Sequence, residues 1–306
     1  MKKIVFLFPG QGGQKVMMGK DLYDSFEKAK EIFDKAPDIR DLCFEGTEQD
    51  LIKTENTQPA IFLVSMAVDN VLKSFGFRPV AAGGHSLGEY SALCSAGVFD
   101  LLTGLNIVKE RGKLMQKAGE KIPGAMAAVI GLSDDKVKEI CEKAEGIVEP
   151  VNFNAPGQVV VSGEKDSVTK LLPVFKSNGA KMTVPLNVSG AFHSSLLKDT
   201  AEEFESVLSS VKFNEPLFPV VSNVDAEFHI KDKIKERLKK QLCNAVLWTS
   251  CIFKLKSLNP ELFFETGPGN VLKGLMKKIE PSFLVETAGT AEECKLLSEK
   301  YTGGFK

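Results

Sequence analysis

The chain predicts an α/β protein that carries a smaller α+β unit inserted in its middle. Strand signals and helix signals alternate along most of the 306 residues, the pattern of an α/β protein. The middle third instead reads β-α-β-β-α-β, the ferredoxin-like split βαβ order, between the turns Pro123-Gly124 and Ser189-Gly190. A small domain over 124–189 is therefore expected inside a discontinuous large domain made of 1–123 and 190–306.

The first element is the apolar run Ile4-Val5-Phe6-Leu7-Phe8, which stops at Pro9-Gly10. It follows Lys2 and Lys3, but it is too short for a signal peptide and lacks a small-residue cleavage pattern, so it reads as a buried strand. Ala60 to Phe75 has helical spacing and ends at Gly76. Pro79 to Gly83 is a second strand, Leu87 to Ala96 a helix directly after it, and Asp100 the N-cap of a helix running to about Ala118. In the middle come strand 125–132, helix 134–145, strands 148–154 and 158–162, helix 167–175 and strand 181–188. Beyond them, Ser194 to Val211 is an amphipathic helix with Leu197, Ala201, Phe204 and Leu208 on one face. Leu217–Ser222 reads as a strand, Lys231–Leu242 as a basic helix, and Leu262–Thr266 as a strand before Gly267-Pro268-Gly269 and a last core helix.

Lys and Arg total 39 against 40 Asp and Glu, a net charge of −1, which argues against nucleic-acid binding by bulk electrostatics but leaves room for a local basic patch facing an acidic partner. No apolar run approaches the ~18 residues of a membrane helix. The six cysteines form no C-x-x-C pair and fit reduced core thiols, so neither a zinc site nor a disulfide frame is expected and the setting is cytoplasmic.

Gly84-His85-Ser86-Leu87-Gly88 is a G-x-S-x-G between a predicted strand and a predicted helix, the context a nucleophile elbow requires. The amide of Leu87 then points at an oxyanion beside a helix N-terminus. A serine nucleophile needs a base, and the chain offers His85, His193 and His229. His85 leaves the elbow in another direction, and His229 sits in a charged stretch that reads as solvated surface. His193 opens a helix, where the dipole disfavours imidazolium and keeps the ring able to accept a proton. No Asp or Glu stands out as a triad acid, and a Ser–His pair whose ring is oriented by a backbone carbonyl is a workable alternative.

Arg111 is one of four arginines and falls on the apolar stripe of its helix, among Ile107, Val108, Leu114 and Met115. A guanidinium there needs an anion, either a substrate carboxylate held in bidentate fashion or a protein carboxylate. Gly10-Gln11-Gly12-Gly13 offers backbone amides to an anion, but it lacks the length and lysine of a P-loop. The helix with Lys231, Lys233, Lys235, Arg237, Lys239 and Lys240 reads as a solvated face.

Taken together, Phe8-Pro9-Gly10-Gln11-Gly12, Asn56-Thr57-Gln58-Pro59-Ala60, Gly84 to Tyr90, Arg111-Gly112-Lys113, Gly190-Ala191-Phe192-His193-Ser194, Asn244 to Trp248 and Glu265 to Gly269 resemble the malonyl-CoA:acyl carrier protein transacylase family in collinear order over about 4–278. The resemblance implies a hydrolase-like core with a mostly parallel sheet, into which the ferredoxin-like domain is inserted. It implies ping-pong transfer through malonyl-Ser86 with His193 as base, an oxyanion hole from the amides of Gln11 and Leu87, Arg111 on the malonyl carboxylate, and Phe192 favouring malonyl over methylmalonyl. It implies malonyl-CoA and holo acyl carrier protein as partners, no resident cofactor, and a monomer. Two positions depart from the family pattern. Leu247 replaces a common glutamine, which removes any side-chain hydrogen bond there; a main-chain carbonyl at that position orienting His193 would survive the change. Gly13 replaces a common serine, a change expected to matter little. The competing readings are a serine thioesterase or esterase, a polyketide-pathway acyltransferase, and a silent acyl-binding subunit.

Overall fold

The computed structural model describes residues 2–188 and 190–303, so Ser189, half of the expected second boundary turn, lies outside the described residues. Ile4–Phe8 (β1) forms a strand in which every residue is buried. Four short helices follow that the sequence reading did not assign: Lys20–Ser25 (α1), Glu27–Phe33 (α2), Pro37–Glu45 (α3) and Glu48–Ile52 (α4). Thr54–Ser74 (α5) starts well before the expected Ala60 and carries Pro59 inside it. Pro59 is the sixth residue of the helix, so its missing N–H removes the one ladder bond that the Glu55 carbonyl would accept. Then come Pro79–Gly84 (β2), Gly88–Ser95 (α6) and Leu101–Lys121 (α7). Asp100 caps α7 as expected, its Oδ1 accepting from the Thr103 amide at 2.8 Å.

The middle of the chain forms Gly124–Ile130 (β3), Asp134–Glu142 (α8), Val148–Ala155 (β4), Gln158–Glu164 (β5), Lys165–Ser177 (α9) and Met182–Pro185 (β6). They make an antiparallel sheet in the order β4-β5-β3-β6. Each helix thus connects two strands with a third between them, the split βαβ arrangement. Beyond it, the expected helix from Ser194 breaks into a 3₁₀ turn, Ser195–Leu197, and the helix Lys198–Ser209 (α10), which buries Ala201, Phe204 and Leu208. Lys231–Gln241 (α11), Trp248–Lys256 (α12), Leu262–Glu265 (β7), Val271–Ile279 (α13), Val285–Thr287 (β8) and Ala291–Thr302 (α14) complete the order.

Leu217–Ser222 does not form the expected strand. It contributes only isolated bridges, Val220 beside Ala82 and Val221 beside Phe228. Pro216 and Pro219 have no N–H to give a ladder, which confines the pairing to single contacts.

The large sheet has the order β2-β1-β7-β8 with every pairing parallel. Alternation along β1 divides the core. Ile4, Phe6 and Phe8 join the cluster built with α5, α6 and α10, while Val5 and Leu7 join Trp248, Ile252 and Leu272 on the opposite face. A strand covered on both faces explains why its sequence is uninterruptedly apolar. The second sheet is also two-sided. One face packs on α8 and α9, and the other brings Met126, Ala128, Val151 and Val160 against Met115 of α7 and Phe192. The carboxyl ends of β1, β2 and β7 meet on one edge, where parallel α/β sheets place their ligands.

Candidate active site

The carboxyl end of β2 turns sharply into α6 at Ser86, whose φ of 52° lies in the left-handed region. A non-glycine residue in that region costs about 1–3 kcal/mol, strain that recurs where a side chain must be presented. Glycines make the turn sterically feasible. A Cβ on Gly84 would lie 1.9 Å from the carbonyl carbon of Gly88, and one on Gly88 would lie 2.0 Å from the Phe8 oxygen. The Ser86 amide is fastened by Asn223 Oδ1 at 2.7 Å, and Asn223 Nδ2 donates to the Gly84 carbonyl at 2.8 Å.

The Ser86 hydroxyl lies 2.7 Å from His193 Nε2. His193 Nδ1 faces the main-chain carbonyl of Gln241 at 2.7 Å. A carbonyl only accepts, so Nδ1 carries the proton and Nε2 presents its lone pair to the hydroxyl. Burial, together with the positive charge of Arg111, pushes the His193 pKa down to about 3, so the ring is neutral at physiological pH. His193 also has positive φ, 63°, and its amide donates to the Leu242 carbonyl at 3.1 Å. The orienting carbonyl therefore belongs to Gln241 at the end of α11 and not to Leu247, whose amide instead donates to the Asn223 carbonyl at 2.9 Å. Gln241 escaped the sequence reading because it ends a lysine-rich helix. The signal available was its place on the buried stripe with Ile234 and Leu238.

Arg111 is fully buried on α7. Its Nη1 donates to Gln58 Oε1 at 2.6 Å, and its Nη2 donates to Gln241 Oε1 at 2.9 Å and to the Ser86 hydroxyl at 3.1 Å. Its carbon lies 5.2 Å from the Tyr90 ring centroid, and its Nε has no partner among the described residues. No protein carboxylate pairs with it among the described residues, so the internal salt bridge that the sequence left open is not formed. A buried guanidinium beside a serine hydroxyl, met only by neutral oxygens, is equipped to bind an anionic ligand group.

The amides of Gln11 and Leu87 make no hydrogen bond among the described residues, and Leu87 immediately precedes the N-terminus of α6. The Gln11 side chain accepts from the Thr54 hydroxyl at 2.8 Å, which fixes the loop after β1 to α5. Gly13 is tighter than expected, since a Cβ there would sit 2.3 Å from the Pro268 oxygen. A serine at 13 would require the two loops to separate. Phe192 is buried with Met115, Met126 and Leu197. Met115 in turn accepts from Gln58 Nε2 at 3.3 Å, one residue away from the Arg111 guanidinium.

His85 turns away from the hydroxyl, as expected, with Nε2 2.7 Å from Asn154 Oδ1 and its ring edge-on to Trp248. His229 is not on the surface. It is buried, with Nε2 2.7 Å from Glu89 Oε1, because the chain after Val220 folds back under α6. Arg237 also departs from the solvated-face reading. It is buried, its Nε and Nη2 pairing with Asp225 Oδ2 at 2.8 Å and 2.7 Å.

Residues 5–280 match the acyl transferase domain family. A relative named malonyl CoA-acyl carrier protein transacylase, from Bacillus subtilis (strain 168), is 42% identical over 288 residues, covering 91% of each chain. The crystal structure of malonyl CoA-acyl carrier protein transacylase from Clostridium perfringens superposes with a TM-score of 0.93 at 38% identity, covering 98% of each chain. A malonyl-transacylase solved in complex with a type II PKS acyl-carrier protein gives a TM-score of 0.93 at 37% identity, covering 97% of this chain and 99% of that one. With most of its length matched by that family and an identity above two fifths to a curated relative, this chain belongs to the acyl transferase domain family.

Proposed function

We propose that this enzyme transfers the malonyl group of malonyl-CoA to the phosphopantetheine thiol of acyl carrier protein, supplying fatty-acid synthesis. It would work in the cytoplasm as a monomer without a resident cofactor. The observation that carries the choice of acyl group is Arg111, buried, free of any protein carboxylate among the described residues, and 3.1 Å from the Ser86 hydroxyl.

In the first half-reaction the Ser86 oxygen attacks the thioester carbonyl while its proton passes to His193 Nε2. The carbonyl oxygen becomes an oxyanion and is met by the amides of Gln11 and Leu87 and by the N-terminal end of α6. Collapse breaks the C–S bond, and the leaving coenzyme A thiolate takes the proton back from His193. The second half-reaction runs the same steps in reverse, with the carrier's thiol giving its proton to His193 and the thiolate displacing Ser86. Arg111 grips the free carboxylate in both halves, and Phe192 bounds the acyl site against a methyl branch.

Intact-protein mass spectrometry after brief mixing with malonyl-CoA or acetyl-CoA tests this reading. The expected result is a malonyl adduct on wild type, none on Ser86→Ala, and clearance on adding holo carrier protein. An adduct that clears in water alone would instead identify a thioesterase.

A further inference from the structure

Resting on the acyl-transfer reading above, we propose that Glu89 and His229 form a buried positioning pair that sets the side chain of Gln241, and through it holds Arg111 and His193 in register with Ser86. Gln241 is the junction. Its main-chain oxygen accepts from His193, and its Oε1 accepts from Arg111 at 2.9 Å. Its Nε2 donates to the Ser86 carbonyl at 2.9 Å and to Glu89 Oε2 at 2.6 Å. Chemistry fixes which way this amide faces. A guanidinium only donates and an ionised carboxylate only accepts, so reversing the amide would break both contacts at once.

Glu89 is enclosed by donors. Besides Gln241, its Oε2 takes the Asn223 amide at 3.1 Å, and its Oε1 takes His229 Nε2 at 2.7 Å. The side chains of His229 and Glu89 are 0% and 1% exposed, so water cannot substitute for a lost partner. Asn223 is also the residue that fastens the Ser86 amide, so one carboxylate supports the elbow, the base and the guanidinium together. The arrangement also counters the charge of Arg111 across an amide and not by contact. A direct ion pair would neutralise the guanidinium, whereas the neutral Gln241 oxygen leaves its charge unpaired for a substrate carboxylate.

The test compares Glu89→Gln, His229→Gln and His229→Leu with wild type in the full chain, reading kcat and KM for malonyl-CoA and acetyl-CoA beside thermal unfolding. Glu89→Gln removes the pure acceptor, which lets the Gln241 amide turn a donor towards Arg111. Its kcat/KM for malonyl-CoA should fall about 100-fold, with KM raised for malonyl-CoA but not for acetyl-CoA. His229→Gln retains a donor within reach of Glu89 and should stay within about threefold of wild type, while His229→Leu should fall about tenfold. A Glu89→Gln enzyme that melts lower yet keeps wild-type kcat and malonyl preference would overturn the positioning role and leave only a structural one. If Glu89→Gln does not fold, His229→Leu decides, and wild-type kinetics in it would overturn the proposal. Failure of wild type itself to form a malonyl-enzyme strikes the transferase reading, a result distinct from either of these.

Discussion

At Arg111 the guanidinium meets Gln58, Gln241 and Ser86 through neutral oxygens, so its charge is directed at whatever enters beside the serine. Arg111→Leu should therefore reduce malonyl transfer by about 100-fold or more while leaving acetyl transfer within a few-fold, as measured by single-turnover acylation. Equal loss for both acyl groups would mean that Arg111 only supports the serine. His193 carries a second prediction. Burial and then the Arg111 charge hold its pKa at about 3, below its ordinary value of 6.5. A neutral imidazole thus faces the Ser86 hydroxyl throughout the physiological range, and the acylation rate should show no His193 acid limb between about pH 5 and 8. The same shift acts on stability. Between the unfolded and folded pKa values the unfolded chain binds the extra proton, so this residue's contribution is intact above about 6.5 and is lost as pH falls towards about 3. A urea midpoint that did not fall over that window would contradict the assignment. In Phe192→Ser, selection against methylmalonyl-CoA should relax, and the urea midpoint should drop because the ring fills a buried cluster. A stability loss with unchanged selection would reduce Phe192 to packing.

At the scale of elements, the elbow depends on close backbone approach. Gly88→Ala would place a methyl group 2.0 Å from the Phe8 oxygen, a backbone atom that cannot rotate away. Several kcal/mol of destabilisation is expected, on the order of the largest single-residue effects, with loss of the acyl-enzyme. The N-cap of α7 is a milder case. Asp100→Ala removes the bond to the Thr103 amide and should cost about 1 kcal/mol by chemical denaturation, without changing the malonyl preference. Helices with a strong apolar period or a clear cap, such as α7 and α10, were legible in the sequence to within a few residues. α1 to α4 were not, because short, charge-rich helices bury only one or two side chains apiece and show no sustained period. The stretch 217–222 had the opposite fault. Its apolar residues suggested a strand, but prolines removed the donors a ladder needs.

Over the whole molecule, β4 ties the antiparallel sheet to the start of α12, which packs on the parallel sheet. The Phe153 amide donates to Val246 O at 3.0 Å, the Val246 amide donates to Val151 O at 2.8 Å, and the Thr249 hydroxyl donates to Phe153 O at 3.1 Å. The same strand reaches both halves of the site. Asn154 holds His85 next to Ser86, and Glu149 Oε2 accepts the Ser195 amide at 2.7 Å, two residues beyond His193. Glu149→Ala should therefore lower kcat more than KM, by loosening the loop that carries His193, and the two sheets should unfold in one calorimetric transition. Two resolved transitions would show that the sheets are thermodynamically separate.

The sequence by itself determined the α/β class, the second unit's strand–helix order, the elbow at Ser86, His193 as the candidate base by elimination, and the odd position of Arg111. Each of these is written in local spacing, in glycine placement, or in the scarcity of a residue type. Tertiary structure alone decided that Gln241 supplies the carbonyl, that Glu89 and His229 lie buried behind it, and that Arg111 meets no protein carboxylate among the described residues. Those relations join residues 48 to 152 positions apart, brought together by the parallel sheet and the helices against it. A charged residue flanked by other charges reads as solvated in one dimension, and only three-dimensional packing reveals that its neighbours have excluded the water.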